Sequence, residues 1–333
     1  MPGSHYDVVA IGNAIVDILG RCDDSFLVRH ETPKGHMSLV DSARIDALYS
    51  AMGPGIEISG GSAANTVAGV ASLGGRAAFI GKVAEDEFGR IFRHDIRAAG
   101  VAFATPAVAD ASRATSRSLI LVTPDGQRTM NTFLGISTDL DQGEVDPDVI
   151  QKANIVYLEG YLFDREEAKA AFRQAVEIAN QAGRRVALTL SDAFCVNRHR
   201  DEFLALIRSG VAILFANESE ILALYQTESF EEAAAQAGQD APMAVLTRSE
   251  KGSMVLTGGE RVMVAPEPVA KVVDTTGAGD LYAAGFLFGL ARGYDLAHAG
   301  RIGSFAAAEI IGQMGARSEI KLAKLARLRG LIA

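Results

Sequence analysis

Asp280 closes a run of small and hydroxyl residues, Thr275-Thr276-Gly277-Ala278-Gly279, and the apolar segment LYAAGFLFGL follows at once. Leu281, Ala284, Gly285 and Phe288 fall at the spacing of one buried helical stripe, which predicts a core-packed helix with Asp280 in its first turn. Gly277, Ala278 and Gly279 then place unpaired backbone N–H groups beside the carboxylate, in a cleft that no large side chain fills. An acid would repel an anion held there, so a phosphate site alone makes poor sense. The pair does make sense if the carboxylate takes a proton from a hydroxyl while the amides hold the phosphoryl group that the hydroxyl attacks. By itself the stretch is equally an acidic cap on a buried helix.

Other stretches carry similar ambiguity. ISGGSAANTVAGVASLGG, residues 58 to 75, opens a helix with Gly61 and Ser62, and Asn65 follows one turn on, where its amide offers donor and acceptor to a hydroxylated ligand. A helix start capped by Ser62 explains the same residues. VAILFANESEILALY, 211 to 225, ends a buried strand in Asn217, with Glu220 one turn into the next helix. One carboxylate and one amide suit a magnesium ion that keeps several waters, and a capping arrangement accounts for them too. In TRSEKGSMVL, 247 to 256, Thr247 and the loop amides could touch a nucleotide phosphate or simply form a turn. Arg128 could close on a transferring phosphoryl group, although an isolated arginine is usually a solvated surface group.

Near misses narrow the chemistry. GGSAA lacks the last glycine of the G-x-S-x-G nucleophile elbow, and GGRAAFIGKV has one residue too many between its glycines and Val83 where a phosphate loop needs Ser or Thr. The six histidines are not spaced as metal-binding pairs, and Cys22 and Cys195 are far apart and outside any CxxC motif.

The elements that must position these residues alternate. Strands are predicted at 6–12, 77–83, 154–160, 185–191, 211–217 and 243–249, and helices at 62–74, 87–100, 165–183 and 200–210, each ended by a glycine, with two more at 295–312 and 318–330. This pattern predicts an α/β fold with a mostly parallel central sheet and helices on both faces. SRSLILVTPDGQRTMNTF, 116 to 133, reads instead as a hairpin around Pro-Asp-Gly. Residues 13–45 and 111–135 are therefore expected to form a discontinuous β lid, and 1–12, 46–110 and 136–333 the large domain. A lid over the carboxyl ends of the strands would shut water from a reaction.

With 333 residues, 48% hydrophobic and 22% charged, the chain has globular composition. A net charge of -9 gives no electrostatic reason to expect nucleic acid or an anionic membrane as partner. No run approaches the ~20 apolar residues of a membrane span, and the expected compartment is the cytoplasm. Gly3-Ser4-His5 is read as an expression-tag remnant.

In order and spacing, these stretches resemble the ribokinase family of carbohydrate and nucleoside kinases, over nearly the whole chain. GGSAANTVAGVASLGG is similar to the family's N-terminal signature, DTTGAGDLYAAGFL to its C-terminal one, and NESE to its N-x-x-E motif. The resemblance implies a ribokinase-like fold with ATP and Mg2+ as cofactors. It makes Asp280 the catalytic base, Gly277, Ala278 and Gly279 the anion hole, and Asn217 and Glu220 the organisers of magnesium and its waters. Asn13 and Asp17 match a pair that holds substrate hydroxyls, with Gly61, Ser62 and Asn65 completing that wall. Thr247, Ser249 and Gly252 fall in the family's T-x-G-x-x-G loop, with Ser249 at the first glycine, and join Thr276 and Asn217 as nucleotide contacts. The resemblance also leaves room for K+ near Asp274 and Thr276.

GNAIVDIL and VALTLSDAFCV resemble the nucleoside branch that acts on adenosine. There Arg128 falls near the phosphates and Phe133 would stack on a purine, while Tyr161-Leu162-Phe163 stands where that branch has two adjacent phenylalanines. The implied activity is phosphorylation of a nucleoside 5'-hydroxyl, adenosine first, by a monomer or a homodimer paired through the lid. A kinase of ribose, fructose or a related sugar is the alternative. A non-catalytic nucleoside or sugar sensor is the third reading, which the intact Asp280 argues against.

Overall fold

The computed structural model describes residues 5–109 and 111–333. Residues 1–4 and 110 of the expected large domain, with Gly3 and Ser4 of the tag reading, lie outside the described residues.

Nine strands form the large sheet: β1 (Tyr6–Ile11), β5 (Ala77–Ile80), β6 (Val101–Ala102), β9 (Ala153–Glu159), β10 (Arg185–Thr189), β11 (Ile213–Asn217), β12 (Met243–Thr247), β13 (Ser253–Thr257) and β14 (Glu260–Val264). Their order is β14-β13-β12-β11-β10-β9-β1-β5-β6. Pairing is parallel from β12 to β6 and antiparallel only at the β13–β14 edge. The central strands read as nearly unbroken apolar runs because both faces are covered, as parallel sheets require. Helices Ser62–Ser72, Ala278–Ala291 and Leu296–Ile311 pack into one core, and Glu166–Gln181, Ala193–Gly210 and Phe230–Asp240 into the other. No described helix is long and apolar enough to cross a membrane.

A second sheet contains β2 (Ile15–Arg21), β3 (Met37–Leu39), β4 (Gly55–Gly60), β7 (Ser116–Val122) and β8 (Arg128–Phe133), in the order β3-β8-β7-β2-β4. The β7–β8 pair is the hairpin expected around Pro-Asp-Gly. Gly126 takes φ 81° and donates its N–H to Thr123 C=O at 2.8 Å.

Two expectations need correction. The division at 13–45 and 111–135 left Gly55–Gly60 in the large domain, yet β4 pairs antiparallel with β2 along its length. Its alternation is overshadowed in sequence by the glycines that lead into the next helix. The helix expected at 200–210 starts earlier, at Ala193, and runs through a break at His199. Gly210 is not a left-handed cap: a Cβ there would sit 2.6 Å from Val176 Cγ1, so its bareness serves close packing between helices.

Candidate active site

The last residues of β10, β11 and β12, Thr189, Asn217 and Thr247, line a cavity of about 210 Å3 together with Ser62, Glu220 and Asp280. It opens at the carboxyl edge of the parallel sheet, where strands of one direction leave their ends together.

Asp280 lies in the first turn of the Ala278–Ala291 helix. Ser62 Oγ donates to its Oδ1 at 2.6 Å and Asn65 Nδ2 to its Oδ2 at 2.9 Å. Ser62 and Asn65 share a helix face at i, i+3. The two helices approach closely at Gly69, where a Cβ would meet both Ala284 Cβ and Leu281 Cδ1 at 2.7 Å. Ser62 and Asn65, expected on the substrate wall, thus fix the direction of the carboxylate. Burial raises the pKa of Asp280, opposed by these two hydrogen bonds and by the Arg317 guanidinium.

Gly277 caps that helix at φ 77°, the left-handed conformation, with a virtual Cβ 2.6 Å from Ala316 Cβ. The Ala278 N–H is spent on Thr275 C=O at 3.2 Å, whereas the Gly277 and Gly279 N–H groups make no hydrogen bond among the described residues. The cradle therefore has fewer open amides than its three small residues suggest.

The substrate-side residues form a second layer. Gly60 leaves room for the Asp17 carboxylate, whose Oδ2 would lie 2.1 Å from a Cβ there, and Gly61 turns into the helix at φ 98° against Asn13 C=O. Burial pushes Asp17 up to about 7, although Arg317 and Arg128 oppose the shift. Asn13 is buried and internally engaged: Nδ2 donates to Glu159 Oε1 at 2.7 Å and Oδ1 accepts from Ser137 Oγ at 2.9 Å. Glu159, which the sequence reading missed, also accepts from the Ala63 N–H at 2.8 Å, and burial pushes it up to about 7. An acid at the end of the strand NIVYLEG was the available signal. Arg317, also missed, donates to Ala64 C=O and Ser59 C=O, and no motif marks it.

Phe133 corrects an expectation. Its ring is packed into the core with the Arg117 guanidinium 5.7 Å from its centroid, so it offers no open platform for a purine. Phe163 is likewise buried, stacked on Phe203 at 4.0 Å, while Tyr161 is exposed and donates to Ser191 C=O at 3.3 Å. Arg128 Nη1 donates to Asp274 and Thr276, so the lid residue is joined to the cradle loop at the position where room for K+ was expected.

Asn217 and Glu220 form a reciprocal cap: Asn217 Oδ1 accepts from Glu220 N and Glu220 Oε2 from Asn217 N, both at 2.9 Å. Burial pushes Glu220 up to about 7. Among the described residues no three acidic, His or Cys side chains gather as a metal cage. The Glu220 oxygens keep spare lone pairs on the cavity wall, a donor set that fits magnesium held through its waters. In the TRSEKG loop Ser249 takes φ 49° and Gly252 φ 80°. Ser249 thus adopts a left-handed conformation that glycine takes more readily.

A second, smaller sheet beside a mostly parallel one, with an acid at an amide-bearing helix start, is the frame in which the comparisons place the chain among phosphotransferases with an alcohol acceptor. Residues 57–322 match the pfkB family of carbohydrate kinases, and the chain belongs to that family, with its ribokinase-like fold. Kinases of this family use ATP. A probable sugar kinase from Rhizobium etli CFN 42 superposes with a TM-score of 0.91 at 49% identity, covering 99% of this chain and 100% of that one. Adenosine kinase from Sinorhizobium meliloti gives 0.90 at 53% identity, covering 98% and 100%. An uncharacterised sugar kinase of Archaeoglobus fulgidus is 30% identical over 254 residues, 75% of this chain and 96% of that protein.

Proposed function

We propose that the chain is an ATP- and magnesium-dependent kinase that phosphorylates the 5'-hydroxyl of adenosine. The observation that carries the chemistry is Asp280, aimed by Ser62 and Asn65 beside the Gly277 and Gly279 amides. Asp280 takes the proton of the 5'-hydroxyl as its oxygen attacks the γ-phosphorus, the bond from that phosphorus to the β,γ-bridging oxygen breaks to release ADP, and the two amides receive the charge that develops on the transferring group. Arg128, joined to the cradle loop through Asp274 and Thr276, adds positive charge on the lid side. Glu220 and Asn217 would hold the waters of magnesium, which when bound supplies further neutralisation of phosphate charge. Asp17 would accept from ribose hydroxyls, since a carboxylate accepts where each hydroxyl donates.

Adenosine rests on the likeness to the Sinorhizobium meliloti protein and on the nucleoside-branch stretches. The burial of Phe133 and Phe163 favours a second reading, a sugar kinase, in line with the Rhizobium etli relative. ADP release across a panel of nucleosides and sugars decides: adenosine is expected to give the highest kcat/KM, and a preference for ribose or fructose overturns the assignment.

A further inference from the structure

Ser191 stands out among the cavity residues. It follows β10 with φ 72°, one of four described non-glycine residues in the left-handed region. Asp192 N–H bonds Leu190 C=O at 2.9 Å across it, which makes Ser191 the centre of the rare, strained form of γ-turn. The surroundings hold that turn in place: Leu190 N–H bonds Phe215 C=O at 3.1 Å, Tyr161 Oη donates to Ser191 C=O, and Asp192 caps the next helix by accepting from Cys195 N–H. Strain of this size persists only where neighbours over-determine it, and it collects at ligand sites. The Ser191 hydroxyl oxygen is also shut off from solvent and has no hydrogen-bond partner among the described residues. A native fold normally satisfies such a group, so its partner is to be sought in what the cavity binds. Ser191 lines that cavity alongside Asn217, Thr247 and Gly277, on the side expected to take the nucleotide.

We propose that Ser191 is a nucleotide-contacting residue, its hydroxyl donating to a phosphate oxygen of the magnesium–ATP complex in the cavity that the Gly277 and Gly279 amides also line. The inference rests on the kinase reading of this cavity. Rotation about the Cα–Cβ bond moves the oxygen out of its shut-off position, so it can meet a phosphate arriving in the cavity without moving the strained backbone.

The test is calorimetric titration of wild type, Ser191→Ala and Ser191→Gly with Mg2+ and the β,γ-imido analogue of ATP, and separately with adenosine. Both variants lack the hydroxyl, and the glycine also relieves the strained φ. Both are expected to bind the nucleotide about 10-fold more weakly, the size of a lost hydrogen bond to a charged group, with adenosine affinity within about twofold of wild type. The thermal midpoint of Ser191→Gly should not fall, which separates lost contact from lost fold. Wild-type nucleotide affinity in either variant overturns the proposal, as does parallel weakening of adenosine. ADP release by wild type keeps the two readings separable: an active wild type with unaffected variants sinks only the Ser191 contact. A wild type that binds nucleotide yet turns over no acceptor sinks the kinase reading.

Discussion

At the scale of single residues, the acid at position 280 is defined by its partners. Asp280→Asn keeps the shape of the side chain but cannot take a proton, so kcat is expected to fall on the order of 100-fold or more while adenosine KM changes little; steady-state kinetics check this, and near-normal turnover would remove Asp280 from the mechanism. Glu159 makes a thermodynamic prediction. Its folded-state pKa, about 7, stands above the ordinary 4.5, so the folded protein binds the proton more tightly. The stability this contributes is fully present below about 4.5 and is lost as pH rises through about 7. Glu159→Gln cannot titrate, so its unfolding free energy, followed by urea denaturation from pH 4.5 to 8, should decline less steeply with pH than that of wild type. Parallel curves would mean that burial does not shift the group as described.

At the scale of elements, loops of the cavity carry conformations that their residues tolerate poorly. Ser249 holds φ 49°, in the left-handed region that favours glycine. Ser249→Gly is therefore expected to raise stability by up to about 1 kcal/mol with kcat unchanged, read from thermal unfolding and a turnover assay; a loss of activity would assign the hydroxyl a contact of its own. Helix and strand identities were legible because periods of 3.6 and 2 residues, and glycine stops such as Gly74, Gly100 and Gly183, are local properties. The start of the Ala193–Gly210 helix was not, because its break at His199 interrupts the period, and neither was the role of Gly210, which depends on Val176 in another helix. The same limit explains the site: Asp280, Asn217 and Glu220 sit in compact motifs, whereas the use of Ser62 and Asn65 as partners of Asp280 depends on a helix contact far along the chain.

At the scale of the whole molecule, Arg317 joins parts that the sequence separates. From the segment after the Leu296–Ile311 helix it reaches Ser59 of β4 in the small sheet and Ala64 in the helix that aims Asp280. Burial lowers its pKa to about 10, and the neighbouring charges of Asp95, Asp17 and Asp280 oppose that shift. Arg317→Ala leaves those acids without their buried cation and should cost about 3 kcal/mol, measured by urea unfolding, with kcat reduced as Asp280 loses the positive charge that opposes the rise in its pKa. A stable, fully active variant would show that the two sheets are held by other contacts. Nothing in the local sequence GARSE advertises this role, since a buried arginine is recognised only by what surrounds it.

The two hydrogen bonds that aim Asp280 span 218 and 215 residues of chain. β1, the first strand made, lies inside the large sheet and pairs with β5 and with β9, so its second neighbour arrives only after residue 153. Closing loops of that length is slow and comes late, after local helices have formed. A growing chain can therefore assemble the Ser62–Ser72 helix long before it has an acid to aim, and an unfinished chain holds no competent base. In refolding from urea, helical circular dichroism is expected to return before ADP release does, and the interval between the two signals measures how long these distant segments take to meet.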